Sequence, residues 1–301
     1  VAAKLGFPHF VLDFSEQFGR NVIDNFVDEY LHGRTPNPCV ICNRTIKWEE
    51  FIRKATALGA NFIATGHYAK VRYDASCERY ILSRGKDATK DQSYALWALT
   101  QHSLSKTMFP LGDLTKPEVR AYSERVGLRT AHKPESYEIC FIADNDYERF
   151  LKERIPELER VDGGDIVMNG KIVGKHRGFP FYTIGQRRGV GLATGQPVYV
   201  TKIHHENNLI EVGTVEELMH RALIARDVNL IKVDTLDGGL RVRAKIRYKD
   251  EGSPATVYLI GEGTVKVVYD EPKRAITPGQ SVVFYDGADV VGGGVIDSII
   301  E

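Results

Sequence analysis

The stretch RTIKWEEFIRKATALGANFIATGHY, residues 44–68, decides the fold class. From Ile46 to Leu58 the apolar positions follow a helical rhythm, and Gly59 supplies the backbone freedom that ends a helix. Residues 61–65 then form a short apolar run closed by Gly66 and His67, the pattern of a buried strand. Helix, tight turn and buried strand make the repeating unit of a parallel sheet covered by helices.

The same rhythm extends outward. Upstream, residues 9–14 form another short apolar run, and Ser15 caps a predicted helix with Phe18, Val22, Phe26 and Tyr30 at every fourth position until Gly33. Downstream, two β segments flank a turn at 74–78, and 92–104 reads as helical. Thr115, Pro117 and Glu118 combine an N-cap, an early proline and a glutamate reaching back, which starts a helix running to Gly127.

After residue 145 the texture changes. Residues 146–155 read as one more helix; from Gly163 onward short strands are broken by glycines, with Asn169-Gly170 as a hairpin signal. From Arg221 almost everything reads as β, with Pro254, Pro272, Pro278 and the glycine run 292–294 as punctuation, which predicts a small barrel. The expected organisation is an α/β domain over 1–145, a small, mostly β central domain over 146–216 and a C-terminal β-barrel over 217–301.

With 40 basic and 40 acidic side chains among 301 residues, the formal charge is zero. That balance hides strong regional bias. Residues 171–205 carry six Lys or Arg and no Asp or Glu, while the stretch before them is acidic. Arg241, Arg243, Lys245, Arg247 and Lys249 alternate with apolar residues, so one continuous strand would place five cations on one face. Such a face is either an ordinary solvated barrel surface or a track for a phosphate backbone. No run approaches a membrane span or a signal peptide, so the expected setting is cytoplasmic, without membrane partners.

Four cysteines at positions 39, 42, 77 and 140 do not make a disulfide scaffold, and point to chemical or metal-binding thiols in a reducing compartment. Cys39-Val40-Ile41-Cys42 follows the rigid Pro36-Asn37-Pro38 segment and precedes a helix expected to begin near Asn43. A thiol at a helix N-terminus feels the positive end of the dipole, which lowers its pKa and favours thiolate. Half of a zinc site and a pair of buried structural thiols are the alternatives, although a zinc site normally brings a second close pair. Cys140 has the apolar flank of an inert buried cysteine, but His132, Lys133 and the polar residues 136–138 would give it an electropositive, partly open setting. Cys77 sits in the expected hairpin turn and reads as incidental.

Six blocks in register carry a resemblance: Gly33-Arg34-Thr35-Pro36-Asn37-Pro38 with Cys42-Asn43, Ala64-Thr65-Gly66-His67-Tyr68, Lys90-Asp91-Gln92-Ser93, Glu138-Ile139-Cys140-Phe141-Ile142, Tyr182-Thr183-Ile184-Gly185-Gln186-Arg187 and Thr277-Pro278-Gly279-Gln280. In this order they resemble the tRNA-specific 2-thiouridylase family over essentially the whole chain. The resemblance implies an α/β nucleotide-binding domain of the ATP-pyrophosphatase type, a central domain and a C-terminal β-barrel. It also implies replacement of the C2 oxygen of the wobble uridine by sulfur, with ATP and Mg2+ as cofactors, tRNA as partner, and persulfide sulfur from a cysteine desulfurase or relay protein.

Carried over residue by residue, the resemblance makes Cys140 the persulfide carrier. Cys42 becomes the second thiol, leaving a Cys42–Cys140 disulfide after turnover. Asn37, Pro38 and Cys39 would contact the flipped base. Gly66 would approach the nucleotide, and His67, Lys90, Asp91, Gln92, Arg247, Tyr248 and Gln280 would touch tRNA; no residue is assigned to a resident metal. Plainer roles compete: His67 capping a sheet, Lys90 with Asp91 as a surface ion pair, Gln280 as turn chemistry.

Two departures qualify the resemblance. The family's Ser-Gly-Gly-x-Asp-Ser phosphate loop is missing from this sequence, whose opening at Val1 reads as an entry after the first βαβ elements of the domain. Cys39 stands where some members have aspartate, which offers Cys42 an alternative disulfide partner. A non-catalytic or zinc-stabilised tRNA-binding fragment is the competing expectation; steep salt dependence of tRNA binding without ATP turnover would mark it.

Overall fold

The computed structural model describes residues 1–133, 139–144, 146–155, 158, 161, 163–193 and 195–300. The helix expected from Ser15 runs through Ser15–Phe18, a wider π-type stretch Gly19–Ile23, and Asp24–Leu31, but Ser15 is its first residue and not its cap: Phe14 holds the N-cap position and the Ser15 N–H and hydroxyl both donate to Asp13. Its face at Val22, Phe26 and Tyr30 is buried as the spacing requires. The run at 9–14 is not a strand; it lies extended and largely exposed. A strand needs a hydrogen-bonding neighbour, and none of the described strands pairs with it.

The second helix starts earlier than its apolar pattern indicates. It begins at Pro38–Cys42, continues through π-type winding at Asn43–Glu50 and ends with Phe51–Ala57. Proline is preorganised for the first helical position, so it opens this helix rather than blocking it. Strand β1 (Ile63–Ala64) follows, much shorter than expected. β2 (Ala69–Asp74) and β3 (Arg79–Arg84) form the expected hairpin. The segment 92–104 is not one helix: a short turn at Ser93–Leu96 is followed by a new helix, Gln101–Ser105, capped by the Thr100 side chain. β4 (Thr107–Met108) then pairs with β1 in parallel, the small realised part of the expected parallel sheet. The Thr115 capping box and the helix Lys116–Arg125 are as read, and so is the helix Tyr147–Arg154.

The central sheet contains β5 (Gly164–Met168), β6 (Lys171–His176), β7 (Tyr199–His204) and β8 (Leu209–Gly213), in the order β6-β5-β8-β7. Asn169 and Gly170 turn β5 into β6 with φ values of 50° and 72°, the left-handed pair a tight hairpin requires. The barrel is built from β9 (Met219–Leu230), β10 (Leu240–Lys245), β11 (Ser253–Gly261), β12 (Thr264–Arg274), β13 (Ser281–Asp286) and β14 (Asp289–Ile300). The order β13-β10-β11-β12-β9-β14 closes through β13 pairing with β14.

β10 stops at Lys245, so the five-cation strand face does not form. Arg247, Tyr248 and Lys249 lie in a turn, Lys245 is buried, and Arg241 makes two hydrogen bonds of 2.7 Å to the Asp270 carboxylate. Repulsion along the strand is thus relieved by a neighbouring carboxylate and by leaving the strand early.

Three cores hold these parts, and two of them cross the expected domain limits. Phe26 and Tyr30 from the first helix pack with Phe150, Ile166, Val200 and Ile210 of the central part. Trp48, Trp97 and Leu99 pack with Val283, Tyr285 and Val290 from the outside of the barrel. Gly293 explains part of the glycine run: a Cβ there would lie 2.8 Å from the Trp97 ring, so the indole seats directly on the barrel backbone. The β2–β3 hairpin continues the barrel sheet from β14 at Ser83 opposite Asp289. Burial would push the Asp289 carboxyl up, but hydrogen bonds from Arg72, Ser83 and Lys232 outweigh it and hold the group well below the usual carboxylate range.

Candidate active site

The Pro36-Asn37-Pro38 segment enters the second helix with Asn37 in a non-helical conformation, and the Asn37 carbonyl accepts the Val40 N–H at 3.1 Å. Cys39 and Cys42 are therefore helical residues three apart on one side, not loop residues ahead of a helix. Lys47 lies five positions beyond Cys42. In an ordinary α-helix it would point elsewhere, but the π-type winding that starts at Asn43 returns it toward the thiols.

Cys140 comes to the same place from the far end of the first domain. Phe141 anchors it by edge contacts with Phe18 and Phe26 at 5.7 and 5.3 Å, and Ile142 is buried. The thiol itself stays exposed, so this is not an inert core cysteine. Its neighbours at 136–138 lie outside the described residues. Cys39, Cys42 and Cys140 lie close enough to act electrostatically on one another, and all four cysteines carry free thiols.

The dipole argument for a lowered thiol pKa fails here. Burial pushes both the Cys39 and Cys42 thiols up; Cys140 adds to the rise, and the Lys47 ammonium opposes it without cancelling it. Lys47 was not legible as a site residue, because spacing by five fits no α-helical face. The helix N-terminus does bring the thiols together, but desolvation dominates their protonation.

At the end of β1, Gly66 is exposed, and a Cβ there would meet only Leu111 Cδ1, at 3.7 Å. Among the described residues no contact requires glycine at this point. Next to it, His67 Nδ1 shares a 2.8 Å hydrogen bond with Thr65 Oγ1, and its ring packs 5.4 Å from Trp48 and 6.2 Å from Phe109. Burial, reinforced by Lys47, lowers its pKa from 6.5 to about 4.

The folded protein therefore binds a proton at His67 only near pH 4, whereas the unfolded chain does so near pH 6.5. Stability from the neutral ring is complete above that upper value and is lost as pH falls through this window. At pH 5 the expected loss is about 1–2 kcal/mol. Thermal midpoints measured between pH 7 and 4 should fall more steeply for the parent than for His67→Gln; parallel curves would refute the assignment.

Gln280 is half-buried and engaged within the protein through its amide nitrogen. Its amide donates to the carbonyls of Thr35 and Pro36 at 3.0 and 2.9 Å, while the Pro278 carbonyl accepts the Thr35 N–H at 2.9 Å. Gly279, at φ +89°, allows this clasp to close, since a Cβ would lie 2.7 Å from both Thr35 O and a Glu29 carboxylate oxygen. Arg34 donates to Glu29 at 2.8 Å and to the Ile296 and Asp297 carbonyls at 2.9 and 3.1 Å. From the central part, Thr183 Oγ1 meets Thr35 Oγ1 at 3.3 Å. Three of the six sequence blocks thus converge on the loop that feeds Asn37 and Cys39.

The remaining predicted contacts gather at a different seam. Asp91 is buried and accepts the Gly85 and Ser93 N–H groups at 3.1 Å each and the Ser93 hydroxyl at 2.9 Å, so it is not a surface ion-pair partner. Gln92 exchanges hydrogen bonds with the Tyr68 backbone, through Oε1 at 3.0 Å and through its own N–H at 2.9 Å. Lys90 is half-buried beside them. Arg247 donates to the Arg274 carbonyl at 2.7 Å, and the exposed Tyr248 ring meets Tyr94 at 6.4 Å. Residues 90–94 and 245–248, far apart in the chain, therefore line one junction between the first part and the barrel. Among the described residues no group of three or more His, Cys, Asp or Glu gathers as a metal cage, and no helix is long and apolar enough to cross a membrane.

Comparison with known proteins first defines the class. Residues 1–144 match the tRNA methyl transferase HUP domain, 148–214 the tRNA methyl transferase PRC-barrel domain, and 220–296 the aminomethyltransferase beta-barrel domain. The chain belongs to the family of tRNA-specific 2-thiouridylase MnmA. The protein of that name from Salinibacter ruber is 55% identical over 302 residues, covering 99% of this chain and 79% of that protein. Those from Clostridioides difficile and Acetivibrio thermocellus are 50% and 49% identical, with 99% and 98% of this chain and 82% of each relative covered. The α/β part, central β part and closed barrel are the architecture expected from the sequence.

Proposed function

We propose that this chain carries out sulfur transfer to the C2 position of the wobble uridine of tRNA, with Cys140 and Cys42 as its working thiols. The observation that carries the proposal is the gathering of Cys140, from the end of the first domain, with Cys42 and Cys39 beside Lys47. Cys140 takes the terminal sulfur of a persulfide from a donor protein, and its exposure suits that hand-over. ATP, when bound with Mg2+, supplies the adenylyl group that makes the C2 oxygen a leaving group.

The chain's own residues do the rest. Asn37, Pro38 and Cys39 form the wall against which the extruded base rests, held by the Thr35–Gln280 clasp. Gly66 leaves room for the nucleotide, and neutral His67 braces the end of β1 without adding charge. In the first of two routes the persulfide sulfur attacks C2, and the Cys42 thiolate then attacks Sγ of Cys140. That breaks the S–S bond to the transferred sulfur and leaves a Cys42–Cys140 disulfide. In the second, Cys42 attacks the persulfide first, forming the same disulfide and releasing sulfide that attacks C2. Either route ends with a disulfide that an external two-electron reductant must reopen.

Lys90, Asp91, Gln92, Arg247 and Tyr248 belong to a tRNA-facing junction on this reading, with Asp91 and Gln92 shaping its backbone. Unmodified tRNA incubated with ATP, magnesium and a persulfide donor should yield 2-thiouridine, read by nucleoside mass spectrometry. Binding of tRNA with neither AMP release nor thiolation would instead establish a non-catalytic RNA-binding chain.

A further inference from the structure

The junction between residues 84–94 and the barrel holds two cations without carboxylate partners. Lys245, at the end of β10, is only 8% exposed, and the carboxylates of Asp91 and Asp250 act on its ammonium from a distance rather than through an ion pair. Its Nζ lies 5.7 and 5.8 Å from the Tyr285 and Tyr94 ring centres. Arg84 covers the same Tyr285 ring at 4.2 Å, with Nε and one terminal nitrogen buried and unpartnered. The two nearby carboxylates are already filled: Asp91 accepts three donors from Gly85 and Ser93, and Asp250 accepts Lys273 and the N–H groups of Ile246 and Gly252.

The donors to Asp91 are neutral, so its carboxylate offsets one of the two charges on this shared ring, whereas Asp250 is engaged by Lys273; Arg84 and Lys245 together keep a net positive charge. Tyr94 touches both Lys245 and Tyr248, which places the site between the 90–92 segment and Arg247-Tyr248. Water would hydrogen-bond such an ammonium but would not balance the paired charge; an anion does both. A phosphodiester bears one negative charge and oxygen acceptors, and needs no base identity to be held.

We propose that Lys245, backed by Arg84, is a binding site for one backbone phosphate of tRNA. The proposal rests on the tRNA reading above and adds residues that the sequence blocks do not contain. Because the contact is to backbone, its loss weakens binding to all tRNAs alike and removes about one counterion from the salt dependence.

The test compares the parent with Lys245→Met, measuring tRNA dissociation constants across a salt series together with thermal midpoints. The expected variant binds tRNA several-fold more weakly at low salt, its log–log salt slope is shallower by about 0.7–0.9, and its midpoint is unchanged or higher because a strained cation is gone. Parental affinity and slope in a folded variant overturn the phosphate site alone. A parent without salt-dependent tRNA binding overturns the tRNA reading and the site with it. If Lys245→Met does not fold, Arg84→Gln carries the same test: a shallower slope supports the site, and an unchanged slope overturns it.

Discussion

Replacing Cys140 by serine lowers 2-thiouridine formation by about a thousandfold or more, while tRNA affinity stays at the parental value. The hydroxyl is nearly isosteric, and the residues that hold position 140 in place are its neighbours Phe141 and Ile142, packed on Phe18 and Phe26 and in the core. Binding and fold are therefore preserved, and only the capacity to carry a persulfide is lost. Cys42→Ser abolishes turnover just as fully but leaves the first half-reaction intact. After exposure to a persulfide donor, intact-protein mass spectrometry should find one extra sulfur retained on Cys140.

Cys39 decides between the two disulfide partners that position 42 has. Both Cys39 and Cys140 act on the Cys42 thiol in the resting protein. On the proposed mechanism Cys39 belongs to the wall against the base, so Cys39→Ser keeps turnover within about tenfold of the parent and still accumulates the Cys42–Cys140 disulfide. Full activity of Cys140→Ser would end the mechanism. Loss in Cys39→Ser with retention in Cys42→Ser would reassign the second thiol.

The parts legible in the sequence are those whose cause is local. The first helix, the Thr115 capping box, the Asn169-Gly170 hairpin and the barrel strands follow from spacing, side-chain capping and turn chemistry within a few residues. Misreadings occur where tertiary contacts decide. Residues 92–104 have helical composition, yet Trp97 leaves the helix to pack on Gly293 and to donate to Ser281 Oγ at 2.9 Å. The basic alternation at 241–249 obeys strand periodicity but is cut at Lys245, where the first domain covers the barrel. The sequence pattern at position 42 predicts a lowered thiol pKa, whereas the raised value depends on desolvation and on Cys140, which only the folded chain brings near.

Arg34→Met should lower the thermal midpoint by roughly 3–6 °C, corresponding to about 2–4 kcal/mol, and should reduce thiolation further than this destabilisation explains. Arg34 and Glu29 have side chains only 17% and 11% exposed, and their 2.8 Å bond is part of a group with Arg226 and Asp297. Removing the guanidinium strands a largely buried carboxylate, which keeps only Arg226 at 3.3 Å, and frees the Ile296 and Asp297 carbonyls. Methionine fills most of the volume, so the loss reports on charge and hydrogen bonds rather than on a cavity. Lysine should not rescue, because one ammonium cannot reach Glu29 and two backbone carbonyls as the planar fork does. The effect on chemistry follows from the next residues along the chain. Thr35 and Pro36 are fixed to Gln280, and one peptide further Asn37 opens the helix of Cys39 and Cys42, so slack at Arg34 passes directly into the position of the thiols. Hydrogen exchange should rise at residues 33–38 in the variant. Unchanged exchange there, with a midpoint shift under about 1 °C, would show that the clasp is held by Gln280 and Pro278 alone.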